Sequence, residues 1–174
     1  MLTQKAKYAL RSLAVLAKAD PRIPLPIHEI AERARAPQKF LEAILLELRR
    51  QGVLASTRGK AGGYTLAQPA AAIRVGEVIR MVDGPLAPIP CASLTAYRPC
   101  ADCPDPGTCA IRAVMRRVRY ATAAILDNTS IADIAGAPDA DIPAIASPTD
   151  ADIPSIAGAT VAVAALGEAT SAAA

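Results

Sequence analysis

The chain has 174 residues, of which 52% are hydrophobic, enough to bury one core and too few for several independent domains. Aromatics make up 3% and tryptophan is absent, so the apolar mass is Ala, Leu, Ile and Val, which suits packed helices and argues against an all-β sandwich. The formal net charge of +3 is unevenly spread, since all 19 Lys and Arg lie at or before Arg119 while Asp139, Asp141, Asp150, Asp152 and Glu168 lie in the last 39 positions. Residues 1–135 therefore set 19 basic against 11 acidic side chains, a net +8. A body that basic has a polyanion as its natural partner, with a merely soluble basic surface as the alternative.

No run approaches the roughly 18 to 20 apolar residues of a membrane span, and the polar opening Met1 to Lys7 has no signal-peptide core behind it. A cytoplasmic chain with no membrane partner is expected. From Gly136 the composition turns to Ala, Asp, Pro, Ile, Ser and Thr, and Asp139–Ala146 returns as Asp150–Ala157 with an 11-residue period. Two copies are too few for a solenoid and each Pro removes a backbone donor, so residues 136–174 are expected as a disordered tail.

Within the body, Leu10, Leu13, Ala14 and Ala17 fall at helical spacing, and Ile27, Ile30, Ala31 and Ala34 repeat the stripe after the Pro21/Pro24/Pro26 connection. Arg35-Ala36 then makes a tight turn. Pro37 suits the first turn of a third helix, and Phe40, Leu41, Ile44, Leu45 and Leu48 mark its buried face up to Gly52. Val53-Leu54 and Tyr64-Thr65-Leu66 are β-prone runs flanking Arg58-Gly59-Lys60-Ala61-Gly62-Gly63, a hairpin with a basic tip. Val75, Val78, Ile79 and Val82 give one further short helix, ended by Gly84-Pro85.

Three helices followed by a basic hairpin make a winged helix-turn-helix. The fold class is thus mainly α with a small β-hairpin, and residues 1–84 form the DNA-binding unit. Residues 85–109 form a cysteine-bearing loop. In residues 110–135, Ile111, Val114, Met115, Val118, Ala121, Ile125 and Leu126 draw one apolar seam, with Arg112, Arg116, Arg117 and Arg119 off it. A helix of roughly 18 residues runs about 27 Å, long enough to pair with a copy of itself. This segment is read as a dimerisation helix.

In a helix-turn-helix the N-terminal residues of the second helix lie nearest the base edges. Here Gln38 can bond adenine bidentately, Glu42 can accept from cytosine, and Lys39 suits a phosphate. At the wing, Arg58 on a glycine-rich tip can enter a narrow minor groove, with Lys60 on the flanking phosphates. The competing reading is a basic protein-interaction module whose Gln38, Lys39 and Glu42 are a solvated helix face. The Gly59-x-x-Gly62-Gly63 run lacks the Gly-Lys-Ser/Thr of a nucleotide loop. No enzymatic activity is expected.

All four cysteines fall within nineteen residues, as Cys91-x8-Cys100-x2-Cys103-x5-Cys109, among six prolines from Pro85 to Pro106. Clustered thiols in a cytosolic chain argue for metal or redox chemistry rather than a disulfide framework. Four thiolates suit an iron-sulfur cluster, a structural zinc or a thiol-disulfide sensor. Zinc sites of this kind usually show two short Cys pairs, and here there is one, Cys100-x2-Cys103. An iron-sulfur electron carrier docking an acidic redox partner is a further alternative. The lone histidine, His28, starts the second helix far along the chain and reads as a cap or surface residue.

Over residues 1–134 the chain resembles the IscR/NsrR/RirA-type winged-helix transcriptional regulators. The resemblance rests on Leu2-Thr-Gln-Lys-Ala-Lys-Tyr-Ala-Leu10, on Ile30-Ala31 and the Phe40-Leu41 to Leu48 seam, on Thr57-Arg58-Gly59-x-x-Gly62-Gly63-Tyr64-x-Leu66, and on the cysteine loop before a long helix ending near Ile131-Ala132-Asp133. It implies a homodimer with crossing long helices, each cysteine loop near the partner's recognition helix, and an iron-sulfur cluster whose gain or loss changes DNA affinity. It also implies a minor-groove role for Arg58, major-groove contacts at Gln38 to Glu42, and cluster ligation by Cys91, Cys103 and Cys109. Some members add a histidine three residues after the last cysteine, where this chain has Arg112, and others an acidic residue from the first helix, where it offers Tyr8. Cys100 is accordingly expected as the missing ligand of an all-cysteine 2Fe-2S or 4Fe-4S site. The expectation is a cytoplasmic repressor of double-stranded DNA operators that senses iron, redox state or nitric oxide.

Overall fold

A computed structural model of the chain describes residues 2–59, 62–103 and 105–136. Lys60 and the Ala/Pro/Asp stretch from position 137 lie outside them. The first helix, α1 (Gln4–Ala17), starts where the Thr3 hydroxyl accepts from the Ala6 backbone N–H at 3.2 Å. Its buried face is Ala6, Ala9, Ser12, Leu13 and Leu16, turned from the expected stripe, of which only Leu13 is fully covered. A serine hid this face: the Ser12 hydroxyl donates to the Tyr8 carbonyl at 2.8 Å and needs no water. The small Ala6 and Ala9 then let neighbouring helices approach closely.

Helices α2 (Ile27–Ala34) and α3 (Gln38–Arg50) form the helix-turn-helix. Ile30, Ala31, Ala34, Leu41, Ile44, Leu45 and Leu48 are buried as expected, and Pro37 precedes α3 as its cap residue. Phe40 departs from the expected core: it is 46% exposed, edge-on to Tyr8 with ring centroids 5.9 Å apart. Lying one position before Leu41, it points off the buried face. The α2 to α3 turn closes with Arg35 left-handed at φ 51° and ψ 49°, so that the Ala36 N–H reaches the Ala31 carbonyl at 2.9 Å. A side chain in this conformation costs about 1 kcal/mol relative to glycine. Arg35→Gly is therefore expected to raise stability to urea by up to about 1 kcal/mol; a lowered urea midpoint would contradict the strained turn.

The wing is the antiparallel pair β1 (Leu54–Thr57) and β2 (Gly63–Leu66), in register from Leu54 opposite Leu66 to Thr57 opposite Gly63. Leu25, between two prolines, adds a bridge by exchanging two 2.9 Å backbone hydrogen bonds with Tyr64. The approach is so close that a Cβ on Gly63 would lie 2.3 Å from the Leu25 carbonyl oxygen. Glycine is required there, which fixes the wing against the helical body.

Helix α4 (Val75–Asp83) buries Val75, Val78, Ile79 and Val82 and stops at Gly84. The stretch 110–135, expected as one helix, divides into α5 (Ala110–Asn128) and α6 (Ile131–Gly136). Backbone pairing breaks it: the Val75 N–H donates to the Thr129 carbonyl and the Ile131 N–H to the Ile73 carbonyl, each at 2.9 Å. Ser130 and Asp133 then cap α6 reciprocally, and Ile131 is fully buried in the core against α1. The C-terminal end of α5 is thereby tied to the helical body. A second tie is the two-pronged pair of Arg80 on α4 with Asp127 on α5, both contacts 2.7 Å. Gly76 makes room for it, since a Cβ there would lie 2.0 Å from Asp127 Oδ1.

Candidate nucleic-acid interface and cysteine cluster

Three of the expected DNA contacts, Gln38, Lys39 and Glu42, lie exposed on the first turns of α3. Arg58 is exposed just past β1, and Lys60 falls outside the described residues. None of Gln38, Lys39, Glu42 and Arg58 makes a side-chain hydrogen bond or ion pair among the described residues, so all four present unspent donors or acceptors. Recognition helix and wing are joined by Arg49, whose Nη1 donates to Ser56 Oγ on β1 at 3.3 Å. The N-terminus of α3 holds no acidic residue in its first turn, which leaves its positive dipole end open to phosphate. His28 is exposed on α2.

The cysteine loop runs from α4 to α5. Cys91 sits in a 3-10 turn, Pro90–Ala92, and is 4% exposed. Cys109 caps α5, its sulfur accepting the Arg112 backbone N–H at 3.5 Å. Cys103 is half-buried and Cys100 exposed, and all four thiols are free. The Cys100 thiol is held above its ordinary pKa, first by its hydrogen bond to Cys91 and then by burial and by the neighbouring thiols and Asp102. Partial burial raises that of Cys103, helped by Cys109 and Cys91.

Four cysteines within a span of nineteen residues are thus linked electrostatically, Cys100 with Cys91 and Cys103, and Cys103 with Cys109 and Cys91. Among the described residues no three of His, Cys, Asp and Glu already close into a metal cage. The donor set nevertheless fits a thiolate-held group: four soft ligands within nineteen residues, all free of disulfides.

Sequence reasoning missed what holds this loop. The Arg112 side chain donates from Nε to the Cys91 carbonyl at 2.9 Å and from Nη1 to the Pro106 carbonyl at 3.1 Å. Its guanidinium carbon also lies 5.7 Å from the centre of the Tyr97 ring. No local signal announces contacts reaching back 21 positions.

A family model described as Rrf2, iron-dependent transcriptional regulator, matches residues 2–137. The chain belongs to the Rrf2 family. A Rhodobacter capsulatus protein named as an rrf2-like HTH-type transcriptional regulator is 45% identical over 145 residues, covering 80% of this chain and 97% of the relative. The HTH-type transcriptional regulator IscR of Yersinia pseudotuberculosis is 30% identical, covering 79% of this chain and 80% of its own. Among solved structures, CymR, the global cysteine regulator of Bacillus subtilis, superposes with a TM-score of 0.65 at 30% identity, covering 80% of this chain and 98% of that one. The winged-helix fold and a role in transcription regulation rather than catalysis follow from Rrf2 membership. Among the described residues no helix is long and apolar enough to cross a membrane.

Proposed function

We propose that this Rrf2-family regulator is a homodimeric repressor that binds a pseudo-palindromic operator and senses iron, redox state or nitric oxide through an iron-sulfur cluster. The gathering of four free thiols at the start of α5 carries this reading. Cys91, Cys100, Cys103 and Cys109 would hold the group, 2Fe-2S or 4Fe-4S, which when bound supplies one-electron chemistry and sensitivity to small oxidants. Cys91 anchors the buried end of the loop and Cys109 its helical end, so ligation stiffens the segment that leads into α5.

On DNA, Gln38 and Glu42 read base edges in the major groove while Lys39 and the amino end of α3 hold phosphate. Arg58 enters the minor groove beside the wing, with Lys60 on adjacent phosphates. Because α5 is tied to α4 by Arg80 and Asp127, a shift in its start is transmitted to the DNA-binding body. In a dimer, the two recognition helices then address half-sites one helical turn, about 34 Å, or a multiple apart.

A second reading keeps the DNA-binding fold and replaces the cluster with a thiol switch. Four free thiols on one loop, with Cys100 under the electrostatic influence of Cys91 and Cys103 under that of Cys109, favour it. Each pair would form one S–S bond, giving two electrons and two protons to an oxidant such as hydrogen peroxide, itself reduced to water.

Salt dependence tests the DNA assignment. A dimer neutralising roughly 6 to 10 phosphates loses about three to five decades of affinity between 50 and 200 mM salt. Arg58→Ala should weaken binding most on operators with a narrow minor groove. A flat salt response, or equal loss on every sequence, would remove the phosphate footprint or the minor-groove role respectively.

A further inference from the structure

Deepening the cysteine-site reading and resting on it, we infer that Arg112 is a positioning residue that gathers the ends of the cysteine loop at the start of α5 before any metal arrives. One guanidinium closes both ends of the segment holding Cys100 and Cys103. Its Nε holds the carbonyl of Cys91 ahead of that segment at 2.9 Å, and its Nη1 holds the carbonyl of Pro106 behind it at 3.1 Å. The face of the same group covers Tyr97, 5.7 Å from the ring centre, between the two. Its own backbone N–H holds the Cys109 sulfur at 3.5 Å. Residues 91, 97, 106 and 109 are therefore gathered around the first turn of α5 by a single side chain and its backbone.

The chemistry requires arginine. Two carbonyls and an aromatic face are met simultaneously only by a planar, delocalised fork; lysine offers a point charge and glutamine one short amide. The loop is rich in proline and poor in apolar side chains between Leu94 and Cys109, so little else in it opposes opening. Without the clamp, the four sulfurs must be ordered at the moment of binding, and affinity falls by that ordering cost.

The test compares full-length wild type with Arg112→Gln and Arg112→Lys, both metal-free and reduced. The readouts are the rate of modification by a thiol-reactive disulfide and titration with Co²⁺ followed by the thiolate-to-cobalt absorption. In wild type the buried Cys91 should react in a slow phase. In both variants that phase should merge with the fast one, and cobalt affinity should fall by about ten- to a hundredfold, as for other groups that orient ligands. The backbone bond to Cys109 survives substitution, so far-UV circular dichroism of the metal-free protein should not change. If Arg112→Gln does not fold, Tyr97→Leu removes the stacking alone and should shift both readouts in the same direction. Wild-type thiol kinetics and cobalt affinity in the variants would overturn the clamp. A wild type that takes up no iron-sulfur cluster would instead sink the cofactor assignment while the thiol kinetics still report on Arg112.

Discussion

A Val118→Glu variant is expected to be a monomer at micromolar concentration and to bind the operator at least about a thousandfold more weakly than wild type. Helix α5 has 19 residues and spans about 28 Å. Ile111, Val114, Val118 and Ile125 line one side of it at spacings of three, four and seven, all exposed, with Ile111 at 68% and Val118 at 44%. In the proposed dimer, an apolar stripe of that length, rimmed by Arg116, Arg117 and Arg119, is the seam of the helix pair. A glutamate at Val118 meets water in a lone chain and costs the fold little. In the centre of a dimer seam it meets its own copy across an apolar contact, where an unpaired charge costs several kcal/mol.

Loss of the dimer halves the DNA contacts, and affinity falls toward the non-specific level, which is typically a thousandfold or more weaker. Light scattering on a sizing column reads the mass, and fluorescence anisotropy with a labelled operator reads the affinity. A dimeric variant with wild-type DNA binding would move the interface away from α5.

Cys91→Ala and Cys109→Ala should each abolish retention of iron and sulfide while leaving a folded protein whose operator affinity no longer responds to iron or oxidant. Cys91 is enclosed on the 3-10 turn beneath α5, so no other donor can take its place from solvent. Cys109 is fixed by the helix it caps. Removal of either leaves at most three sulfurs, two of them on the exposed part of the loop. Cys100→Ala separates ligand sets: loss of iron shows an all-cysteine site, and full retention shows that a residue other than Cys100 completes it. Iron and sulfide analysis beside operator titrations measures all three variants.

Much of this architecture was legible in the sequence because local rules govern it. The stripes of α2 and α4, the turn at Arg35-Ala36, the glycine-rich wing and Gly84 follow from periodicity and backbone chemistry within a few residues. The face of α1 was not, because Ser12 satisfies its hydroxyl on the preceding turn and is buried despite its polarity. Phe40 was misplaced because an aromatic edge-on to Tyr8 needs no core position. The break after Asn128 depends on backbone pairing with residues 73–75, more than fifty positions earlier. At the site, the clustering of four cysteines within nineteen residues marked the loop, and the exposed positions of Gln38, Lys39 and Glu42 follow from helix polarity. The clamp by Arg112 and the Arg80–Asp127 tie join segments 21 and 47 positions apart, a distance at which composition and periodicity carry no information.

The most direct measurement is an ultraviolet-visible spectrum of anaerobically purified protein, with iron, sulfide and zinc analysis and operator anisotropy on the same sample before and after the chromophore is destroyed by oxidant. A cysteine-ligated cluster regulator gives brown protein with near-stoichiometric iron and sulfide and an operator affinity that changes when the colour is lost. Colourless protein after anaerobic reconstitution, whether it holds zinc or no metal, with an operator affinity indifferent to iron, would contradict it.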